Sequence, residues 1–501
     1  MNKGALTSHN HSQAVQEEPN AAIRVSLMLL LLCSSFFALY HSNTAYSSDE
    51  VWSVKTAALN YDAGLRALKA DVHPPLYFLI LHSWIGQFGT GERTVRSLSG
   101  LFYLLSTFAL FGLGRELYGT RTALLCAVIY LSSPLAILAA QFARMYALLS
   151  LLSILSTWLY LQFSLKPRDS RLLITLYIAV NVLGTFTHIG FFFLLFSQIV
   201  VQLLFYRGAQ MKKFVLAIVL SLLPYLILWA PILLRQFANL GESIAWVKKP
   251  GFSMLGDLLL QFGGAFWLVV PLLLYLGWRN RAQSSKAFGG KFLRSLPLWL
   301  LIMTLLTPLL ISEVKPIFNA RLAIVGLHLF ALAIGALAGR RASFLSPLAV
   351  LALTIAFLPL VHPASAPCDN RQMATYLSQS AHDYDVVIFT SLTRLPIDYY
   401  LARTTNRKLF ETSFPAEIDE HPGYEGSLND SRRKAALERE AEELVDRISR
   451  MQFQRIFFIH GFHPEVDAII EQQLQERFQL LADQTLQCGG AIYLKEVSVY
   501  K

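Results

Sequence analysis

The stretch VSLMLLLLCSSFFALYHSNTAYSSDEVW, residues 25–52, decides the fold. Its first part, Val25 to Tyr40, is an apolar run of the length that begins to cross a hydrocarbon core. The carboxylates of Asp49 and Glu50 follow soon after it. An acidic pair at the mouth of a membrane segment is costly unless it faces water or a ligand. The pair therefore either holds a loop in water or marks a site, and the remaining sequence has to distinguish the two.

The composition is that of a polytopic membrane protein. Of 501 residues, 54% are hydrophobic and only 15% are charged, which excludes an ordinary soluble domain. Apolar runs of roughly 16–24 residues recur along most of the chain. The net charge of +10 arises from basic residues in short loops between these runs. That placement suits membrane topology, so the partner it indicates is a lipid bilayer and not nucleic acid.

The loop charges predict the orientation of the chain, because every second loop is basic. The basic residues of these loops are Arg115 and Arg121; Lys166, Arg168 and Arg171; Arg207, Lys212 and Lys213; Arg279, Arg281, Lys286, Lys291 and Arg294; and Arg340 and Arg341. We predict that these loops and the N-terminus are cytoplasmic and that the C-terminus is outside. A crossing at Pro74–Phe88 would invert every later loop, so we predict an interfacial or re-entrant helix there.

The predicted fold is a polytopic α-helical membrane protein with about eleven spans and a C-terminal extracytoplasmic α/β domain. The spans fall near Val25–Tyr40, Val95–Gly114, Thr122–Ala140, Ala147–Leu165, Leu172–Thr187, Phe191–Tyr206, Phe214–Leu234, Leu255–Trp278, Ser295–Ile311, Leu322–Gly339 and Ser343–Val361. The domains are a disordered cytoplasmic tail (1–24), a membrane domain (25–362) with its first outer loop at 41–94, and the α/β domain (366–501). The expected elements of the last are helices at Asp369–Ser380 and Ser431–Met451 and strands at Asp385–Thr390, Arg455–Ile459 and Ala491–Leu494.

This topology gathers the isolated polar residues on the outer side of the membrane, which a random scatter would not do. They are Asp49, Glu50, Asp71, His73, Arg144, Tyr146, His188, Trp246, Lys248, Lys249, Lys315 and Arg321. The convergence favours a site over a solvated loop, and it places that site outside the cytoplasm.

The residue types indicate distinct catalytic and binding roles in such a site. Asp49 is the natural general base, since a carboxylate needs only hydrogen-bond reach and a suitable pKa. Glu50 either orients Asp49 or contacts a sugar. Arg144, Arg321 and Lys315 suit a phosphate group, which a planar guanidinium can bind through two oxygens. The alternative for each arginine is an interfacial side chain that extends towards water.

The remaining candidates are Asp71, His73, Tyr146 and His188, which could bind substrate or a divalent ion. Each histidine could equally be a satisfied interfacial residue, and no pairing at metal-ligand spacing indicates a dedicated metal site. Four cysteines are present. Cys33 and Cys126 lie in apolar runs as packing residues, whereas Cys368 and Cys488 could pair if the tail is outside the cell.

The order of short motifs resembles a known group of enzymes. The motifs are Asp49-Glu50; His73-Pro74-Pro75-Leu76-Tyr77-Phe78; Phe88-Gly89 with Glu92 and Arg96-Ser97-Leu98; Gly114-Arg115-Glu116-Leu117-Tyr118-Gly119; Ser133-Pro134 with Gln141, Arg144 and Tyr146; and Lys315-Pro316-Ile317-Phe318 with Arg321. Together they resemble the GT-C superfamily of integral membrane glycosyltransferases. The similarity is greatest to bacterial relatives of the dolichyl-phosphate-mannose protein mannosyltransferases (glycosyltransferase family 39) and of the lipid A aminoarabinose transferase.

The resemblance implies a polyprenyl-phosphate sugar donor, an acidic base in the first outer loop, inversion at the anomeric carbon and, in some members, a divalent cation at the donor phosphate. It says little about which sugar or acceptor is used. We expect the hydroxyl of an envelope glycan, lipid or protein as the acceptor, and the inner (plasma) membrane as the location. The aminoarabinose transferase pattern has Glu-Lys before the double proline, where this chain has Val72-His73; Asp71 or His73 would then have to replace that ligand. Two alternatives remain, a transporter or flippase of lipid-linked glycans or other small solutes, and an inactive scaffold. Transporters tend to show repeated halves and polar groups at mid-bilayer.

Overall fold

The fold is described from a computed structural model, which covers residues 20–40, 42–70, 73–162, 170–205, 210–235, 249–271, 291–338, 345–361, 370–420, 431–461, 463–486 and 495–501. Most of the described chain is helical. Helices α1–α8 are Asn20–Leu39, Ser48–Ala58, Tyr61–Ala70, Leu76–Phe88, Glu92–Tyr118, Thr120–Leu131, Pro134–Ala140 and Tyr146–Tyr160. Helices α9–α15 are Arg171–Thr185, Phe191–Phe205, Gln210–Leu228, Phe252–Gly263, Lys291–Val314, Ile324–Ala338 and Leu345–Val361.

Several of these helices are built to cross a membrane. Four described helices have the necessary length and apolar character, namely α1, α5, α11 and α13, and a bent pair makes a fifth. Shorter apolar helices, among them α4, α8, α9, α10, α14 and α15, accompany them. The chain is thus a multi-pass membrane protein, and the count of eleven spans and the interfacial position of α4 stay predictions.

The bent pair coincides with one predicted span. The span predicted at Thr122–Ala140 is divided into α6 and α7, which meet at an angle of 65°. Pro134 stands in the first turn of α7, where its missing N–H is no loss but where it cannot continue α6. The hydroxyl of Ser133 donates to the carbonyl of Gln261 at 2.8 Å and ties the bend to α12.

The C-terminal part of the chain contains a five-stranded sheet of order β2-β1-β3-β5-β4. The strands β1–β5 are Val386–Thr390, Phe410–Phe414, Ile456–Ile459, Leu480–Leu486 and Lys495–Tyr500. Helices α16–α20 are Asn370–Ser380, Arg394–Thr404, Glu417–Glu420, Ser431–Ser449 and Pro464–Arg477. Strand β1 pairs in parallel with β2 and β3, whereas β5 is antiparallel to β3 and β4.

The predicted elements of this part are confirmed within a few residues where the structure describes them. They are α16, α19, β1 and β3. Sequence reasoning missed α17, α18, α20, β2, β4 and β5, and the strand predicted at 491–494 lies outside the described residues. So do Cys368 and Cys488, whose pairing stays a prediction; Cys33 and Cys126 are free thiols in the helical part.

The core runs through both parts of the molecule. Successive side chains of a strand point to opposite faces, and β1 divides accordingly. Val387 and Phe389 belong to the same buried cluster as the membrane helices. Val386 and Ile388 belong to a second cluster, closed by α19 and α20.

Candidate active site

Asp49 lies in the first turn of α2 and faces Arg321. The guanidinium Nη1 of Arg321 donates to Oδ2 of Asp49 at 2.9 Å, and both side chains are about 40% exposed, at 43% and 42%. Partial burial acts to raise the pKa of Asp49, but the charges of Arg144, Arg321 and His73 outweigh it, and the pKa is lowered. Asp49 is therefore ionised at neutral pH, and its carboxylate is partly exposed at the protein surface.

Glu50, the adjacent residue, has a different environment. It is 1% exposed, and Arg96 holds both of its oxygens, with Nε to Oε1 and Nη2 to Oε2 each at 2.8 Å. Ser47 donates its backbone N–H to Oε2 at 3.0 Å, as in a capping box, which begins α2 at this point. The backbone N–H of Ala143 donates to Oε1 at 3.0 Å. Two roles were predicted for Glu50. These contacts favour the role in which Glu50 orients Asp49, because both of its carboxylate oxygens already accept hydrogen bonds from the protein.

Arg144 follows Ala143 in the loop between α7 and α8, so Glu50 also fixes the backbone that carries this arginine. Arg144 is 5% exposed. It donates to the hydroxyl of Ser53, one turn beyond Asp49 on α2, at 3.3 Å, and lies over the ring of Trp52 at 5.7 Å. Its Nε is buried without a hydrogen-bond partner. A cation buried beside a carboxylate with one donor unused is suited to an additional anion.

The two histidines converge on Arg144. Nε2 of His73 lies 3.1 Å from Nη2 of Arg144, and the rings of His73 and His188 are 6.4 Å apart. Nδ1 of His188 accepts the N–H of Gly190 at 2.9 Å. Burial, followed by the neighbouring His73 and Arg144, lowers the pKa of His188 to about 3, so this ring is neutral. Tyr146 packs against it, with ring centroids 5.8 Å apart.

These histidines do not fit a divalent cation. The side of His73 that would face a metal ion faces a guanidinium, whose charge opposes a second cation there. Within the described ranges, no group of three or more histidine, cysteine, aspartate or glutamate side chains has metal-binding geometry. Asp71 lies outside those ranges, as do Trp246 and Lys248. We therefore derive no step through a metal ion.

Arg321 also lines a small apolar groove. The groove is lined by Leu135, Leu138, Ala139, Phe142, Tyr146, Arg321 and Ile324. Three of these residues belong to α7, the helix that the bend redirects. Arg321 lies over the ring of Phe142 at 5.3 Å, and that ring is nearly parallel to Tyr146 at 6.3 Å. The groove thus has apolar walls, and Arg321 is the charged residue among those that line it.

Most of the predicted residues meet in one place, but not all do. Asp49, Glu50, His73, Arg144, Tyr146, His188 and Arg321 form one connected cluster. Lys315 and Lys249 are exposed, and no contact joins either side chain to Asp49, Arg144 or Arg321 among the described residues. Arg96 was missed as a functional residue. A buried arginine near the start of a membrane helix needs a partner, and that rule was the available signal.

Residues 72–234 match the family model described as dolichyl-phosphate-mannose-protein mannosyltransferase. A sequence comparison with curated proteins found no match. Among solved structures, ArnT from Cupriavidus metallidurans bound to undecaprenyl phosphate aligns with a TM-score of 0.60 at 12% identity, over 96% of this chain and 98% of its own. The chain has the fold of the GT-C glycosyltransferases.

Two further structures agree with this assignment of the fold. The apo state of the same Cupriavidus metallidurans ArnT gives a TM-score of 0.58 at 12% identity, over 95% of this chain and 98% of its own. Arabinofuranosyltransferase AftD from Mycobacteria gives 0.50 at 12% identity, over 95% of this chain and 39% of its own. The resemblance to the mannosyltransferases and to ArnT that the motifs predicted is confirmed. The GT-C alignment includes the C-terminal sheet as well as the helices.

Proposed function

We propose that this protein is a glycosyltransferase that moves a sugar from a polyprenyl-phosphate donor to a hydroxyl acceptor on the outer side of the inner (plasma) membrane. The observation that carries the proposal is the Asp49–Arg321 pair, with Arg144 beside it, next to a small apolar groove that Arg321 also lines. A lipid-linked phosphate needs an apolar channel that ends in cations, and the acceptor hydroxyl needs a base next to them. ArnT, which shares the fold, has been crystallised with undecaprenyl phosphate.

In the proposed reaction the lipid tail lies in the groove and the donor phosphate lies between Arg321 and Arg144. The acceptor hydroxyl attacks the anomeric carbon, and its proton passes to the carboxylate of Asp49. The bond between the anomeric carbon and the phosphate oxygen breaks, and its electron pair remains on the polyprenyl phosphate. Inversion at the anomeric carbon follows from attack on the face opposite the leaving group.

The arginines act where charge develops. As the carbon–oxygen bond breaks, negative charge grows on the leaving phosphate, and preorganised cations stabilise such charge most effectively in a site that excludes water. Arg144 is preorganised, since Ser53 and the loop fixed by Glu50 hold it. Arg321 is paired with Asp49, so an arriving phosphate competes for its guanidinium and frees the base.

The other candidate residues have secondary roles. Around the same two arginines lie Tyr146, His73 and His188, whose side chains are suited to contacts with the phosphate or with sugar hydroxyls. Lys315 is exposed and would approach the donor only from the solvent side. The acceptor is a glycan, lipid or protein hydroxyl of the cell envelope.

The decisive experiment compares wild type with Asp49→Asn, using purified protein in nanodiscs and a panel of polyprenyl-phosphate sugars. General-base catalysis contributes about 10²–10⁴-fold, so we expect turnover to fall by that factor while donor binding persists. Asp62→Asn is the matched control, because Asp62 is an exposed carboxylate in the same outer loop. Full turnover by Asp49→Asn would remove Asp49 as the base. Movement of the lipid-linked sugar across the bilayer without any transfer would favour the flippase alternative.

A further inference from the structure

The backbone that leads into Asp49 is held by the C-terminal part of the chain. The N–H of Tyr46 donates to the hydroxyl of Tyr400 at 2.8 Å, and the carbonyl of Tyr46 accepts the side-chain amide of Asn370 at 2.8 Å. The hydroxyl of Ser48, the residue directly before Asp49, donates to the carbonyl of Leu392 at 2.6 Å. Two of these contacts go to the main chain of Tyr46, so they fix the path of the loop.

Tyr400 is the centre of this arrangement. It lies on α17 and is 5% exposed. While its hydroxyl oxygen accepts from Tyr46, its proton goes to Oε1 of Glu92 at 2.7 Å, at the start of α5. Arg371 donates to the same oxygen at 2.7 Å. Burial raises the pKa of Tyr400, and Glu92 adds to the effect, so the phenol keeps the proton that it donates.

The opposite side of Asp49 is held by the membrane helices. Glu50 is tied to Arg96 on α5 and to the loop that carries Arg144. The N-terminus of α2 is therefore fixed from two sides, by the helical bundle through Glu50 and by the sheet-containing part through Tyr46 and Ser48. Only the second set of contacts involves residues more than 300 positions away in the chain.

We propose that Tyr400 is a positioning residue for Asp49, through which the sheet-containing part of the chain sets the geometry of the reaction. The inference rests on the proposed function. It assigns a task to the C-terminal part that is separate from acceptor binding. A general base must lie within about 3 Å of the proton that it removes, and a displacement of about 1 Å costs up to 10²-fold in rate.

The test is Tyr400→Phe, which removes one hydroxyl and keeps the ring. We expect kcat to fall about tenfold, as for the loss of one buried hydrogen bond, with the donor KM changed less than about twofold. The charged and titratable groups that face Asp49 are Arg144, Arg321 and His73. A loop that relaxes away from them brings the pKa of Asp49 in the free enzyme closer to its ordinary value, so the acid limb of the kcat/KM profile moves to higher pH.

Tyr376→Phe is the matched control. Tyr376 is a tyrosine of α16 that packs on Phe457 of β3 at 6.4 Å, and its hydroxyl makes no hydrogen bond to the loop of residues 43–49 among the described residues. This variant should keep the wild-type kcat and pH profile. Ser48→Ala provides a second route to the same loop and should change kcat and the acid limb in the same direction as Tyr400→Phe.

Hydrogen exchange at the Tyr46 amide separates failure of this proposal from failure of the proposed function. We expect the amide to exchange faster in Tyr400→Phe than in wild type or in Tyr376→Phe. Wild-type kcat and acid limb in both Tyr400→Phe and Ser48→Ala would overturn the positioning role, whatever the stability of either protein. If Asp49→Asn were fully active, the base assignment and this inference would both fall, even if the exchange result showed that the contact exists.

Discussion

Arg321 has two anionic partners in the proposed reaction, Asp49 before the donor binds and the phosphate afterwards. Its substitution should therefore change both donor affinity and the ionisation of the base. We expect Arg321→Ala to lower kcat/KM about 100-fold and Arg321→Lys about tenfold, since lysine keeps the charge but loses the two-pronged geometry. The measurement is donor-dependent transfer in nanodiscs.

The pH dependence of kcat/KM provides a second test of the role of Arg321. Arg321 is one of the charges that lower the pKa of Asp49. A carboxylate with a lowered pKa is ionised, and active as a base, down to a lower pH than usual. Without the arginine its pKa rises, so the acid limb of kcat/KM should move to higher pH in Arg321→Ala and stay nearly unchanged in Arg321→Lys. Arg66→Ala, at an exposed arginine of α3, is the control. An unshifted limb in Arg321→Ala would contradict the assigned ion pair.

Glu50 and Arg96 form a buried ion pair, and this pair supports a prediction about stability. Removal of one partner leaves the other charge buried and uncompensated, at a cost of about 3–5 kcal/mol. We expect Glu50→Ala and Arg96→Ala each to lower the thermal midpoint of unfolding strongly. The double variant should be destabilised by much less than the sum, because neither charge is then stranded. Additive losses in this cycle would show that the two side chains act independently.

The sequence was sufficient to predict that most site residues lie close together, but not which of them form ion pairs. Asp49, Arg144, His188 and Arg321 were placed on one face by topology alone, and they meet in the structure. The partner of Glu50 was not predicted, since Arg96 lies 46 residues away and no periodicity connects the two. Such pairs depend on how helices pack, which a hydrophobic pattern does not specify.

Among the elements, α7, which follows the bend, supplies three of the residues that line the groove. Leu138, on α7, is 43% exposed and lines it. We expect Leu138→Gln to raise KM about tenfold for a long-chain polyprenyl donor but less than about twofold for a short-chain donor, because only the long tail loses apolar contact. Leu176→Gln is the control, since Leu176 is equally exposed at 43% on α9 and lies outside the groove. An equal effect on both donors would mean that the tail does not lie along α7.

The elements themselves were predicted unevenly, for physical reasons. Long apolar runs identified the membrane helices because burial in lipid demands them. The same pattern concealed the bend, since the residues on both sides of Ser133-Pro134 are apolar. Strand β2 reads FETSF and lacks the continuous apolar signal of β1, so it was missed. It is an edge strand, which one-sided pairing leaves less buried.

At the scale of the whole molecule, the sheet and the helical bundle share one core. Phe389 on β1 is fully buried in the cluster that also contains Tyr46 and the membrane helices, and Tyr399 packs edge-on against Tyr46 at 5.7 Å. Because this continuity couples the two parts, we expect them to lose structure together on heating in detergent. Phe389→Ala should lower the midpoint for both, with a loss of about 3–5 kcal/mol for a large core cavity.

The coupling can be measured by limited proteolysis along a temperature gradient, followed separately for fragments from the first outer loop and from the sheet. Ile388→Ala provides the comparison, since Ile388 faces the second cluster, between the sheet and α19 and α20. If the core is continuous, Phe389→Ala makes residues 43–58 susceptible at the same lowered temperature as the sheet. In Ile388→Ala, helices α19 and α20 should become susceptible to cleavage at a lower temperature than residues 43–58. If residues 43–58 of Phe389→Ala stay protected after the sheet has been cleaved, the two parts unfold independently. The contacts around Tyr46 would then be too weak for the sheet to position Asp49.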